Sequence, residues 1–280
     1  MENAEKIMMQ KVITCAPTDT FLKIQQLMTD NGINRVVVAD KDQPVGIITQ
    51  KDIIKFLVAD KSARGLDEIK AQEGMTTRRI TATRNASIPS IARTMIDKGI
   101  SSVLIVDDRN NLEGIVTKTD ITQWYGAFHY ELAYKVKDFM TAKPVTVKPS
   151  QSIFLLASLM AKHKISRIPV VSGTENMLVG IITEADITVT SRLLKPAKVL
   201  EDTKPLVVKG AIAPPKNIHL LTAGDIMTSN PMTIDKNANL TDAAKLMTKH
   251  KISGLPVTEK GDLVGIITKS DIIRAVAHQK

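Results

Sequence analysis

A single cysteine, Cys15, stands in the 280 residues of this chain. It rules out an internal disulfide, and with no second cysteine or adjacent histidine it gives no zinc cluster, so its expected role is that of a small buried filler. No apolar run approaches the roughly 20 residues needed to cross a bilayer. The start, "MENAEKIMMQ", carries acids and no apolar signal core, and the expected location is cytoplasmic. Catalytic constellations are missing as well: there are no paired carboxylates outside a capping position, no Ser-His-Asp order in a supporting context and no metal-ligand spacing. The expectation is therefore no enzyme, no redox cofactor and no metal. What is present is 43% hydrophobic and 24% charged residues, the balance of a globular protein. A formal charge of +9 points to an anionic partner, whether nucleic acid, an acidic protein surface or a phosphorylated small molecule.

The octapeptide "GIITQKDI" from Gly46 returns as "GIVTKTDI" from Gly114, "GIITEADI" from Gly180 and "GIITKSDI" from Gly265. Such self-similarity is the first thing to test, because it decides the architecture. A methionine six residues before a threonine precedes each copy: Met8 and Thr14, Met75 and Thr81, Met140 and Thr146, Met227 and Thr233. That methionine lies 38, 39, 40 and 38 residues ahead of the glycine. Between them runs a helix pattern, with Thr18, Asn85, Ser150 and Asn237 as expected capping residues before apolar sets such as Phe21, Ile24 and Met28. A β-rich run and a polar turn follow, then the quoted strand and a second helix. Each unit reads strand, helix, strand, strand, helix in about 50 residues, too small to stand well alone, so pairing is expected.

In each octapeptide the strand ends where a helix begins. This places Thr49, Thr117, Thr183 and Thr268 at the N-cap and Asp52, Asp120, Asp186 and Asp271 at the third helical position. Two readings stand. Threonine followed three residues later by an acid is a capping box. Yet the box sits at the C-terminal end of a strand, where open α/β sheets bind ligands. A helix N-terminus offers N–H groups to phosphate, and a carboxylate can accept the hydroxyls of a ribose. The lone glycine is no phosphate-binding loop; it eases a turn or lets backbones approach.

The order of first strand, amphipathic helix, "KISRIPVV" and "GIITEADI" resembles the CBS domain, and all four units carry it. The layout is similar to the gamma subunit of AMP-activated protein kinase and to archaeal stand-alone four-CBS proteins. The resemblance implies an α/β (α+β) fold of four β-α-β-β-α units packed as two Bateman modules, with a flat disc as their arrangement. The expected units are 1–62, 63–128, 129–192 and 225–280, with an insertion at 193–224; the modules are 1–128 and 129–280. It implies a regulatory adenine-nucleotide sensor for AMP, ADP or ATP, with or without magnesium, that controls a partner enzyme, kinase or transporter, and a homodimer is an open arrangement. An S-adenosylmethionine-type ligand, or a nucleic acid on the basic surface, is the alternative. By resemblance Asp52, Asp120, Asp186 and Asp271 hold ribose and the four box threonines contact phosphate. Thr14, Thr81, Thr146 and Thr233 lie on the adenine side. A basic residue on the second strand serves phosphate in the kinase subunit. Arg35 and Arg167 occupy that place and Ser102 and Gly254 do not, which makes units 1 and 3 the first choices for phosphate contacts. Lys118 and Lys269, following their threonines, add charge there or are simply solvated.

Outside the repeat, 190–224 holds four prolines and five lysines and reads as a cover, a docking segment or a plain linker. "WYGAFHYELAYKVKDF" gathers Trp124, Tyr125, Phe128, Tyr130 and Tyr134 and reads as a helix joining the modules or forming a dimer contact. His163 and His250 fall at first-helix ends, where a cation suits the dipole.

Overall fold

The computed structural model describes residues 2–59, 64–77, 79–127, 134–173, 177–191, 207–208, 211–212 and 221–279. The chain divides into two compact modules, Met1–Phe128 with Ile272–Lys280, and His129–Asp271. Repeat 1 consists of β1 (Thr14–Cys15), α1 (Phe21–Asp30), β2 (Arg35–Asp40), β3 (Gln43–Thr49) and α2 (Gln50–Ala59). After the short α3 (Ala71–Gly74), repeat 2 has β4 (Thr81–Ala82), α4 (Ile88–Asp97), β5 (Ser102–Val106), β6 (Leu112–Thr117) and α5 (Lys118–Ala127). Repeat 3 is introduced by α6 (Val136–Phe139) and β7 (Thr141–Ala142) and continues as α7 (Ile153–His163), β8 (Arg167–Ser172), β9 (Met177–Thr183) and α8 (Glu184–Ser191). Within the insertion the described residues are one antiparallel pair, β10 (Val207–Val208) with β11 (Ala211–Ile212), and 221–224; the rest of it lies outside the described residues. Repeat 4 follows α9 (Ala223–Ile226) and β12 (Thr228–Ser229) with β13 (Ile234–Asp235), α10 (Leu240–Lys249), β14 (Gly254–Glu259), β15 (Asp262–Thr268) and α11 (Lys269–Ala277).

The sheet logic is the same four times. The first strand lies parallel to the second, which pairs antiparallel with the third; in repeat 3 the first strand is reduced to the bridge of Val147 to Val170. Every long hairpin carries a register shift at the same place, as at Val38/Ala39 and Val170/Val171. Successive side chains of a strand point to opposite faces, and β2 shows what this achieves. Val36 and Val38 join Phe21, Ile24, Met28 and Ile48 in the core of their own repeat. Val37, between them, packs with Leu104 and Ile115 of repeat 2. A strand buried on both faces needs an unbroken apolar run, which is why "RVVVAD" does not alternate.

The helix caps differ from expectation. Thr20, Ser87, Ser152 and Asn239 occupy the N-caps of α1, α4, α7 and α10, each two residues after the expected Thr18, Asn85, Ser150 and Asn237. Thr20 Oγ1, Ser87 Oγ and Ser152 Oγ accept the N3 backbone N–H at 3.3 to 3.4 Å. Only the residue directly before the first apolar helical position can bring its oxygen to that N–H. The earlier polar residues belong to the preceding turn, where Asp19 Oδ2 accepts from Ala16 N at 2.8 Å.

The methionines hold a larger surprise. Each is spaced to a glycine within its own repeat, but each packs against the glycine of the paired repeat. A Cβ on Gly46 would meet Met75 Sδ at 2.6 Å, one on Gly114 would meet Met8 Sδ at 2.9 Å, and one on Gly265 would meet Met140 Sδ at 2.6 Å. A Cβ on Gly180 would overlap Met227 Sδ. The segment beside each methionine adds to the partner's sheet: Met9 bridges Ile115, Thr76 bridges Ile47, β7 pairs β15 and β12 pairs β9. Each repeat thus lends its first few residues to its partner. None of these four glycines has a positive φ, so close approach by the methionine is the requirement they meet.

Trp124 and Tyr125 are buried in α5, and Trp124 Nε1 donates to Glu2 Oε2. Tyr134 stacks edge-on against Phe139 at 5.0 Å; Phe128 and Tyr130 lie outside the described residues. His163 ends α7 and His250 caps α10, as expected.

Candidate functional site

At the end of the third strand in every repeat the threonine and aspartate are joined in one way. Thr49 N donates to Asp52 Oδ2 at 2.8 Å and its hydroxyl donates to the same oxygen at 2.6 Å. The equivalent pairs are 2.7 and 2.8 Å for Thr117–Asp120, 2.8 and 2.8 Å for Thr183–Asp186, and 2.6 and 2.8 Å for Thr268–Asp271. In repeats 1 and 2 the aspartate N–H returns a bond to the threonine hydroxyl oxygen at 3.3 and 3.4 Å. All of these corners are partly or fully buried, Asp271 most of all at 5% exposure.

The box commits the threonine hydroxyl proton to the carboxylate, so a phosphate could take it only by breaking that bond. The expected supply of open helix N–H groups is also small. The first helical N–H donates to the residue before the second strand in each repeat: Gln50 N to Asn34 O at 3.1 Å, Lys118 N to Ser101 O at 3.1 Å, Glu184 N to Ser166 O at 2.9 Å and Lys269 N to Ser253 O at 3.2 Å. Thr119 N donates to Thr117 Oγ1 at 3.2 Å. The first helical N–H on which a helix-end anion site would draw is thus bonded within the protein at every corner. What the corner does offer is a carboxylate whose Oδ2 takes both threonine bonds.

The arginines go where the sequence alone does not put them. Arg35 is paired in register with Thr49 of its own repeat. Its side chain, however, crosses to repeat 2, where Nη1 donates to Ser101 Oγ at 3.2 Å, while Nε donates to the neighbouring Asn34 Oδ1 at 3.3 Å. Burial holds the Arg35 guanidinium below its ordinary value, against the raising pull of the Asp120 charge. Burial in turn pushes the Asp120 carboxyl up, with the Thr117 hydrogen bonds and Arg35 opposing it. Arg167 repeats the crossing: it is in register with Thr183, but Nη1 donates to Ser253 O and Nη2 to Ser253 Oγ at 2.6 Å. Burial lowers its value too, and Asp271 is the opposing charge. Ser102 and Gly254, at the matching positions, carry no cation.

Thr14 and Thr81 lie on first strands opposite Val37 and Leu104. Thr146 and Thr233 immediately precede Val147 and Ile234, which pair Val170 and Val257. A small cleft of about 160 Å³ opens beside Thr14, with Gln10, Lys41 and Asp42 on its walls. It lies towards the hairpin end of β2 and β3, away from the Thr49–Asp52 corner. Among the described residues no group of three or more His, Cys, Asp or Glu could hold a metal ion, and no helix is long and apolar enough to cross a membrane.

The CBS domain profile matches residues 4–59, 67–127, 136–190 and 223–278. The chain belongs to the CBS domain family. The first two CBS domains fall in the first module and the third, with the fourth up to Asp271, in the second; each Thr–Asp corner ends the third strand of one domain. Protein MJ1225 of Methanocaldococcus jannaschii is 28% identical over 282 residues, covering 96% of both chains. Its crystal structure, described as that of a proposed archaeal homologue of γ-AMPK, superposes with a TM-score of 0.76 at 25% identity, covering 98% of this chain and 99% of that one. MJ1404 from the same organism is 27% identical across all of this chain, which spans 63% of that longer relative. The CBS domain-containing protein YhcV of Bacillus subtilis is 31% identical over 137 residues, 49% of this chain and 81% of its own.

Proposed function

We propose that this CBS protein is a non-catalytic regulatory sensor of adenine nucleotides. AMP, ADP or ATP binds between paired CBS domains and changes their packing to control a partner protein. The observation that carries this reading is the carboxylate presented identically at four strand–helix corners, with both cap bonds falling on one oxygen. A carboxylate so oriented suits the vicinal hydroxyls of a ribose. The likeness to MJ1225, described as a proposed archaeal homologue of γ-AMPK, supports the class of ligand. A ligand shifts packing only by the difference in its affinity for the two arrangements, and a corner assembled from both domains of a pair is where such a difference would arise.

The test is a thermal-shift panel of AMP, ADP, ATP, S-adenosylmethionine and NAD, with and without magnesium, followed by calorimetry of the ligands that stabilise. Binding to the folded state raises stability in proportion to the logarithm of concentration over Kd. Asp120→Asn or Asp271→Asn keeps a cap acceptor and should weaken one binding event by about tenfold or more. Unchanged titrations for all four aspartate replacements would refute the ribose role. The charge of +9 favours a second reading, nucleic-acid binding; its mark is an affinity that falls steeply with salt.

A further inference from the structure

Resting on the adenine-nucleotide reading, we propose that the two corners of each module take different ligands: Thr117–Asp120 and Thr268–Asp271 a phosphorylated nucleoside, Thr49–Asp52 and Thr183–Asp186 a nucleoside without phosphate. Two separate features divide the corners in this same way. The first is the crossing of the arginines. Arg35 ends on Ser101, whose carbonyl accepts the N–H of Lys118, the first residue after Thr117. Arg167 ends on Ser253, whose carbonyl accepts the N–H of Lys269, the first residue after Thr268. Each guanidinium therefore stands one hydrogen-bonded step from the partner's corner. Nothing returns the favour. Ser102 carries a short hydroxyl, and Gly254 carries no side chain: a Cβ there would overlap Arg167 Nη1 and lie 3.0 Å from the Ile267 backbone oxygen and 3.1 Å from Arg167 Cδ.

The second feature is the residue that follows each threonine. It is Lys118 and Lys269 at the corners the arginines reach, but Gln50 and Glu184 at the other two. In sequence the cations look evenly shared, an arginine in repeats 1 and 3 and a lysine in repeats 2 and 4. Folding gathers both at one corner of each pair and leaves the other with none of these cations, or with an acid. A phosphate has a guanidinium, already partly stripped of water, and a half-buried lysine at the first kind of corner; at the second it meets only the exposed Lys51 in repeat 1 and Glu184 in repeat 3. With the first helical N–H already in use at every corner, these side chains set the difference between the two kinds.

The experiment is calorimetry of the full chain with AMP and with adenosine, in the wild type and in Arg35→Gln, Arg167→Gln, Asp52→Asn, Asp120→Asn, Asp186→Asn and Asp271→Asn variants whose melting curves show a folded protein. AMP should fill two sites per chain. Arg35→Gln and Arg167→Gln should each weaken one of them about 10- to 100-fold, the range expected for a charge-assisted contact, while adenosine binding changes little. AMP sites that survive Asp120→Asn and Asp271→Asn but vanish in Asp52→Asn and Asp186→Asn would overturn the assignment and leave the adenine reading standing. A wild type that binds neither AMP nor adenosine would overturn the adenine reading and the assignment with it.

Discussion

Exchange of the methionine arms makes a quantitative prediction for module 1. In Gly46→Ala the new methyl would lie 2.6 Å from Met75 Sδ, 3.0 Å from its Cγ and 3.2 Å from its Cβ, so every close contact is with one flexible side chain. Overpacking of this kind costs about 1–3 kcal/mol. Met75 is half-buried against the repeat 1 core, so Met75→Ala should cost about 1–2 kcal/mol, below the range for fully buried methionine. The double variant places the methyl in the space the thioether leaves. Its cost should approach that of Met75→Ala alone, an interaction energy of about 1–2 kcal/mol in favour of the pair. The Gly114–Met8 pair is the internal control, because its added methyl also meets the backbone oxygen of Met9 at 3.1 Å. Removing the Met8 side chain does not relieve that contact, and the rescue should be smaller. Urea unfolding of the full chain reads this cleanly, since Trp124, the one tryptophan, is 7% exposed in the same module. With a slope of about 1–3 kcal/mol per molar, each kcal/mol moves the midpoint by about 0.3–1 M. Additivity of Gly46→Ala and Met75→Ala to within about 0.5 kcal/mol would refute the lock.

Two further outcomes follow from single groups. Burial raises the Asp120 carboxyl in the folded chain, so the folded state holds this proton more tightly than the unfolded one and loses stability as pH rises through and above the ordinary carboxylate range. Asp120→Asn imitates the protonated form: its stability relative to wild type should be greatest near neutrality and should decline towards pH 3 in pH-resolved urea titrations, and a constant difference would disprove the shift. Burial first, and Asp19 second, push the Cys15 thiol up to about 11, so the native chain should react with a disulfide reagent at pH 8 about a hundredfold more slowly than the urea-unfolded chain, and equal rates would place Cys15 outside the core.

Much of this architecture was legible in the residues, because a fourfold repeat supplies its own controls. A strand, a helix signature and a strand–helix corner that recur at matched spacing define four domains even where each signal is weak by itself. Polarity alone places the caps two positions early, since Thr18 and Asn237 are as polar as Thr20 and Asn239, which the structure puts at the N-caps in extended conformation. The arm exchange was not legible. The spacings from Met8 to Gly46 and from Met75 to Gly114 look like properties of one unit, and no periodicity within a chain reports that a side chain is delivered to a neighbour.

The same blindness explains the arginines. Strand register puts Arg35 beside Thr49 and Arg167 beside Thr183, so a reading by position assigns each cation to its own repeat. Side-chain length then carries each guanidinium past that position to the paired repeat, Arg35 to Ser101 and Arg167 to Ser253. Only one arginine can do so in each pair. The place its counterpart would occupy is Ser102 in one module and, in the other, Gly254, whose missing Cβ is filled by Arg167. A symmetric pair of arginines would bring two cations together in a space already partly desolvated, and the chain avoids that cost by leaving one of the two positions uncharged. Asymmetry between the corners is thus a consequence of pairing two similar domains closely, and it surrounds a duplicated carboxylate with different side chains in each repeat.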